Sequence, residues 1–254
     1  MIAITTIDNE CDNGLINYLE PSCEYHNIDL NVLEIDRKME SLREKDLMVS
    51  YYLKNIPDDE IILFTDGYDT FFVANETEII EKFKLCKTKL LFAAEVNCMP
   101  DQNLSKLYEK NDYKFKYLNA GAFIGEAGFI KFLYNRYPFN SMIFGKRFEW
   151  SNQYCWHQIY LKHNKEIRLD YTSEIFYTLA TNYAHIGDLN LSLEEDLSKF
   201  LLKEKKRIRD EILFVGNRFK VLETDTVPCH IHFPGRISKL LMGDDIFENL
   251  YVWK

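Results

Sequence analysis

Two aspartates, Asp66 and Asp69, stand three positions apart in the stretch IILFTDGYDTFF, directly after a strongly apolar run. On the open end of a central strand, carboxylates so spaced can face one hard cation, Mg²⁺ or Mn²⁺. The remaining coordination positions would go to a phosphorylated substrate and water. The same letters also read as a β-hairpin between IILF and FFVA that turns on Asp66-Gly67. Far down the chain, His232 ends a short strand just before Pro234-Gly235, with Arg236 and Lys239 beyond it. An imidazole as a further ligand, with a glycine and a cation clasping phosphates, would complete a nucleotide-diphosphate site. The plain alternative is a strand histidine satisfied by a backbone carbonyl. His26, His157, His163 and His185 have no comparable context and read as structural.

A phosphatase of the haloacid-dehalogenase type also places a strand before aspartates and a threonine. That chemistry needs its nucleophile and general acid two residues apart, and here the aspartates are three apart. The spacing argues against it.

Charge narrows the partners. The chain has 31 basic and 40 acidic residues, a net charge of −9. A nucleic-acid partner needs a basic stripe that releases counterions, and an anionic membrane surface needs the same sign. Neither is expected. An anionic ligand would require something local to offset repulsion, and a divalent cation does that. The six cysteines, Cys11, Cys23, Cys86, Cys98, Cys155 and Cys229, form no CxxC pair, which argues against a zinc ribbon or thioredoxin-type site. Disulfides and buried free thiols both remain open. The opening MIAITTIDNE lacks the basic and apolar regions of a signal peptide, and no apolar run approaches the roughly 20 residues of a membrane span. The expectation is a soluble chain, cytoplasmic by default.

The elements that must position these side chains follow from periodicity. IAITTI (2–7), IDLNVLEI (28–35), EIILFTDG (60–67) and KLLFAAE (89–95) read as strands. Between them lie helical patterns at 14–27, interrupted near Pro21, at 43–56, and after Asn75, which with Glu78 has capping-box spacing. Such alternation predicts an α/β fold with a mostly parallel central sheet flanked by helices, and the near-continuous apolar runs suit strands buried on both faces. The second half is less regular. It offers a small-residue strand or turn and then a helix over 117–137, helices at 152–164 and 191–208, and strands at 167–171 and 227–235. In the last of these, alternation puts His230 and His232 on one side. The composition, 46% hydrophobic and 28% charged, is that of a globular chain, and no linker or repeat divides residues 1–254. One domain is expected.

In this order the segments resemble the glycosyltransferase domain of the multifunctional procollagen lysyl hydroxylases, a glycosyltransferase-A (Rossmann-like) fold. AITT, ILFTDGYD, TEIIEKFKLCKTKLLFAAEVNCMPD, FKYLNAGAFIG, IRLDYTSEIF and VPCHIHFPG carry the likeness, colinear over nearly the whole chain. The family's hydroxylase domain has no room in these 254 residues. The resemblance implies that Asp66 and Asp69 form a modified metal motif and that His232 is the third protein ligand for Mn²⁺. It places Tyr68 on the uracil, and Thr5 with Ala3 near the uridine. Lys45 falls in the nucleotide site, across a two-residue gap from Asp66. Gly235 and Lys239 fall on the diphosphate with one residue inserted, so that Arg236 is a substitute for the lysine.

The implied reaction is metal-dependent transfer of a hexose, glucose first, from a UDP-sugar to an acceptor hydroxyl, with retention of configuration. The acceptor would be a collagen-type hydroxylysine glycan, another glycoprotein or a free glycan. Relatives have an acidic run before the glutamine that Gln153 matches, whereas this chain reads EWSNQ, with Ser151 and Asn152 at those places. Asn152 and Gln153 are therefore the catalytic candidates, with Glu149 or Glu95 as a displaced carboxylate. Met99 stands where a tryptophan is expected after Cys98. A UDP-sugar-binding protein that has lost transfer is the alternative function.

Overall fold

The computed structural model describes residues 1–9, 12–141, 147–181 and 194–254. The first half alternates as its pattern predicts. It runs β1 (Ile2–Asp8), a π-type turn (Leu15–Leu19) that leads into α1 (Glu20–Tyr25), β2 (Leu30–Ile35), α2 (Arg43–Leu53), β3 (Ile61–Asp66), β4 (Thr70–Phe72), α3 (Glu76–Cys86) and β5 (Leu90–Glu95). The second half brings β6 (Tyr117–Glu126), α4 (Ala127–Arg136), α5 (Asn152–His163), β7 (Ile167–Leu169), β8 (Phe176–Thr178) and α6 (Glu194–Glu211). It closes with β9 (Ile212–Val215), β10 (Arg218–Val221), β11 (His230–His232) and α7 (Gly235–Leu240). Residues 191–193 of the expected helix lie outside the described residues.

The central sheet has the order β2-β1-β3-β6-β5-β7. β1 is parallel to β2 and β3, and β5 to β7, while β6 runs antiparallel to both of its neighbours. Although the apolar runs are continuous, successive side chains enter two separate cores. Ile4, Ile62, Phe64, Phe92 and Phe123 join Val49 and Leu53 of α2, Leu133 of α4 and Trp156 of α5 on one face. Ala3, Leu63, Leu91 and Ile124 meet Leu19, Cys23, Ile79 and Phe83 on the other. Burial of each such large side chain contributes about 1.5–3 kcal/mol. α3 begins where Asn75 accepts a hydrogen bond from the Glu78 amide at 3.0 Å. It ends at Lys87, in the left-handed region at φ 49°.

Two features bring the functional ends together. β6 pairs Phe123 with Phe92 but Asn119 with Ala93, so Ala120, Gly121 and Ala122 form a bulge opposite the middle of β5. A second sheet, β4-β11-β8, sits beside the first. β4 pairs with β11, not with β3. The hairpin reading of Asp66-Gly67 is thereby corrected: the chain leaves one sheet at Asp66 and enters the other at Thr70. The isolated hairpin β9–β10 turns on Gly216, at φ 61°. Cys23, Cys86, Cys98, Cys155 and Cys229 are free thiols, and Cys11 lies outside the described residues. No described helix is long and apolar enough to cross a membrane.

Candidate active site

Asp66 ends β3 at the carboxyl edge of the parallel strands, where ligands collect in open α/β sheets. Asp69 follows in the link to β4, and its carbonyl accepts the Phe233 amide at 2.8 Å, which ties it to the end of β11. His232 is the last residue of β11. One ligand atom from each of these three residues lies within 4.8 Å of the others. His232 Nε2 is 3.4 Å from Asp69 Oδ1 and 3.8 Å from Asp66 Oδ2.

The tautomer of His232 can be read from its other nitrogen. Nδ1 lies 3.1 Å from Asn119 Oδ1, which also accepts the Gly121 amide at 2.9 Å, while Asn119 Nδ2 donates to Glu95 at 3.0 Å. An oxygen so fixed only accepts, so Nδ1 carries the proton. Nε2 is buried without a hydrogen-bond partner and faces the two carboxylates. A buried orphan nitrogen beside two carboxylate oxygens suits a divalent cation of the Mn²⁺ or Mg²⁺ kind. Without a cation, burial works to lower the His232 pKa, but Asp69, Asp66 and Glu95 overcome it and hold it above its ordinary value. Burial likewise pushes Asp69 up, and His232, Lys45 and Lys239 more than offset that, leaving it low.

Gly121, in the β6 bulge, makes the close approach necessary. A Cβ there would lie 2.2 Å from His232 Cε1 and 2.9 Å from Asp66 Oδ2. Only glycine fits.

Lys45, Asp66, Asp69, Asn152, Gln153, His232 and Gly235 line one cleft of about 250 Å³. Lys45 Nζ is 2.7 Å from Asp66 Oδ1. Tyr68 and Lys239 face each other, the ammonium 5.5 Å from the ring centroid. The Tyr68 hydroxyl donates to Asp8 and Lys239 pairs with Asp12, so an arriving diphosphate would have to displace that carboxylate. Gly235 opens α7 at φ 78°, and Arg236 is exposed. Ala3 and Thr5 are wholly buried. Ala3 packs in the core and Thr5 Oγ1 donates to the Thr65 carbonyl at 2.8 Å, so neither side chain lines the cleft.

The acceptor-side candidates are also held from within. Ser151 caps α5, its Oγ accepting the Tyr154 amide at 3.1 Å. Asn152 Nδ2 donates to Asp46 Oδ2 at 2.9 Å. Asp46 accepts further bonds from Trp156 Nε1 at 2.7 Å and the Tyr134 hydroxyl at 3.0 Å, yet burial pushes its carboxyl up to about 6. Gln153 accepts the Ala120 amide and donates to Glu95 and to the Met99 carbonyl. Glu95 lies beneath it, pushed by burial up to about 7, while Glu149 is exposed. Asp46, Asn119 and Gly121 went unread in the sequence. Only Asp46 left a signal there, a charge on the stripe it shares with Val49 and Leu53.

The α/β layering is of the glycosyltransferase-A type. Residues 1–222 match the family described as PLOD GT domain, and the chain belongs to that family. It is 30% identical over 228 residues to procollagen-lysine,2-oxoglutarate 5-dioxygenase 1 of Gallus gallus, covering 84% of this chain and 27% of that protein. It is 28% identical over 182 residues to the multifunctional procollagen lysine hydroxylase and glycosyltransferase LH3 of Rattus norvegicus, covering 70% of this chain and 21% of that one. The chain thus spans about a quarter of these relatives. Among solved structures it is similar to a glycosyltransferase involved in glycosylation of the major capsid of PBCV-1. The match is 12% identical, covers 95% of this chain and 98% of that one, and has a TM-score of 0.43.

Proposed function

We propose that the chain is a metal-dependent glycosyltransferase that moves a hexose, glucose by first choice, from a UDP-sugar to an acceptor hydroxyl with retention of configuration. The acceptor would be a collagen-type hydroxylysine glycan or another glycan. The observation that carries this reading is the orphaned His232 Nε2 facing Asp66 and Asp69. Mn²⁺, or Mg²⁺, held by these three would offset the negative charge of the departing diphosphate. Lys45 supplies a second positive charge on the Asp66 side. Lys239 supplies another once Asp12 is displaced. Tyr68, anchored through its hydroxyl, offers its ring to the uracil. Gln153, held at both ends of its amide, would orient the sugar rather than exchange a proton.

The second reading, a UDP-sugar-binding protein without transfer, is favoured by one observation. Ser151 and Asn152 spend their polar atoms on the α5 cap and on Asp46, not on the cleft. Release of UDP from a panel of UDP-sugars, with Mn²⁺ and with chelator, separates the two. Metal-dependent release from at least one donor is expected, and Asp69→Asn should remove most of the metal-dependent gain in UDP affinity. Normal Mn²⁺-dependent UDP binding with no release from any donor, with or without acceptors, would leave the binding-protein reading. Asn152→Asp should not speed release, because it would set a second carboxylate against buried Asp46.

A further inference from the structure

The chain has three tryptophans. Trp156 is wholly buried among aromatic rings, and Trp253 is partly buried with its Nε1 away from solvent. Trp150 is different: half of it, 50%, is exposed. It lies on the same cleft as Asp69 and Gln153, beside Leu42, Met99 and Pro100. Its backbone is pinned. The carbonyl accepts from Leu42 N and from Ser41 Oγ, both at 3.0 Å, and the next residue caps α5. Its indole makes no ring contact and no hydrogen bond among the described residues. A rigidly mounted, uncommitted indole at the wall of a polar cleft is a surface awaiting a flat apolar ligand.

We propose that Trp150 is the stacking platform for a hexopyranose ring, an inference that rests on the glycosyltransferase reading above. A pyranose has a face of C–H groups whose positive edges suit the negative face of an indole, while its rim of hydroxyls needs donors and acceptors. The cleft offers both, with Leu42, Met99 and Pro100 extending the apolar floor and Lys45 and Gln153 at polar positions. The ring comes either from the transferred sugar of the donor or from the acceptor glycan.

Tryptophan emission of the wild type, less that of Trp150→Ala, isolates this indole. UDP with Mn²⁺ should leave the difference unchanged. If UDP-glucose with Mn²⁺ shifts it, the platform holds the donor sugar. If methyl glucoside or methyl galactoside shifts it in the UDP-loaded protein, the platform holds the acceptor. Trp150→Ala should weaken that sugar-bearing ligand about three- to tenfold while UDP affinity stays as it was, and Trp150→Phe should recover part of the loss. An equal shift with UDP alone would give the indole to the nucleobase and overturn the proposal. So would the absence of any shift with sugars together with unchanged sugar affinity in Trp150→Ala. Should UDP fail to bind even with Mn²⁺, the donor reading falls, and the methyl glycosides added to the free protein still decide whether Trp150 holds a sugar.

Discussion

His230 and His232 leave β11 on one side, yet their Nε2 atoms meet different surroundings. His230 Nε2 bonds Thr65 Oγ1 at 2.8 Å, and its ring sits edge-on to Phe72 and Phe176 at 5.0 and 5.6 Å. Burial drives its pKa well below the ordinary value, so it is a neutral core residue. His232 keeps Nε2 for the carboxylates. His232→Ala should therefore weaken Mn²⁺-dependent UDP binding by about 1–3 kcal/mol. His230→Ala should lower the melting temperature while UDP titrates as in the wild type. Isothermal titration with and without Mn²⁺, beside a thermal melt, reads both, and the opposite order of effects would remove His232 from the ligand set.

At the scale of elements, the β6 bulge sets how near the two sheets come. Gly121→Ala would force a methyl into the space between His232 and Asp66. It should abolish the Mn²⁺-dependent part of UDP binding while circular dichroism stays native, and a wild-type Mn²⁺ response in that variant would mean the cluster is not the metal site. Neither the bulge nor Gly121 was legible in the sequence, because FKYLNAGAFIG reads equally as strand or turn until its partners are known. What was legible had long local signals. The βαβ alternation showed in its apolar runs, the α3 cap in Asn75 and Glu78, and Asp66 in its place after a strand. β11 was read within the strand at 227–235, but the second sheet escaped because β8 is only three residues long and because β11 pairs with β4 and β8, segments far from it in sequence. β9–β10 did leave a mark, a two-residue Gly216-Asn217 turn between apolar runs, of the kind that announces a hairpin. Asn152 is a catalytic candidate because it stands where the relatives' acidic run precedes the glutamine that Gln153 matches. That position could not reveal that Asp46, from another helix, would claim its amide.

For the whole molecule, buried carboxyls and buried histidines together set how stability follows pH. Burial raises Asp46 to about 6, Asp170 to about 6 and Glu95 to about 7. Unfolded, such groups titrate near 4. Between about 4 and about 7 these three carboxyls hold more protons folded than unfolded, so their contribution to stability falls as pH rises. Burial lowers His26 and His157 to about 4 and His230 further still, so these histidines hold fewer protons folded and oppose that trend. Glu78, which burial would raise, is pulled down to about 2 by Arg218 and Lys82. Its contribution is present above its unfolded value and disappears only in strong acid. In chelator, the drop in melting temperature caused by Asp46→Asn should thus be larger at pH 5 than at pH 7.5. An equal drop at both pH values would mean that Asp46 ionises as freely folded as unfolded.

The ligand set draws Asp66 from the central sheet and His232 from the smaller one, with Asp69 in the strap between them. In polymer terms, a cation held there would join distant segments, and by binding the folded chain rather than the unfolded one it would stabilise the fold by mass action. Metal occupancy and fold stability would then be linked, and a denaturation curve recorded in chelator would lack the stabilisation that free cation adds.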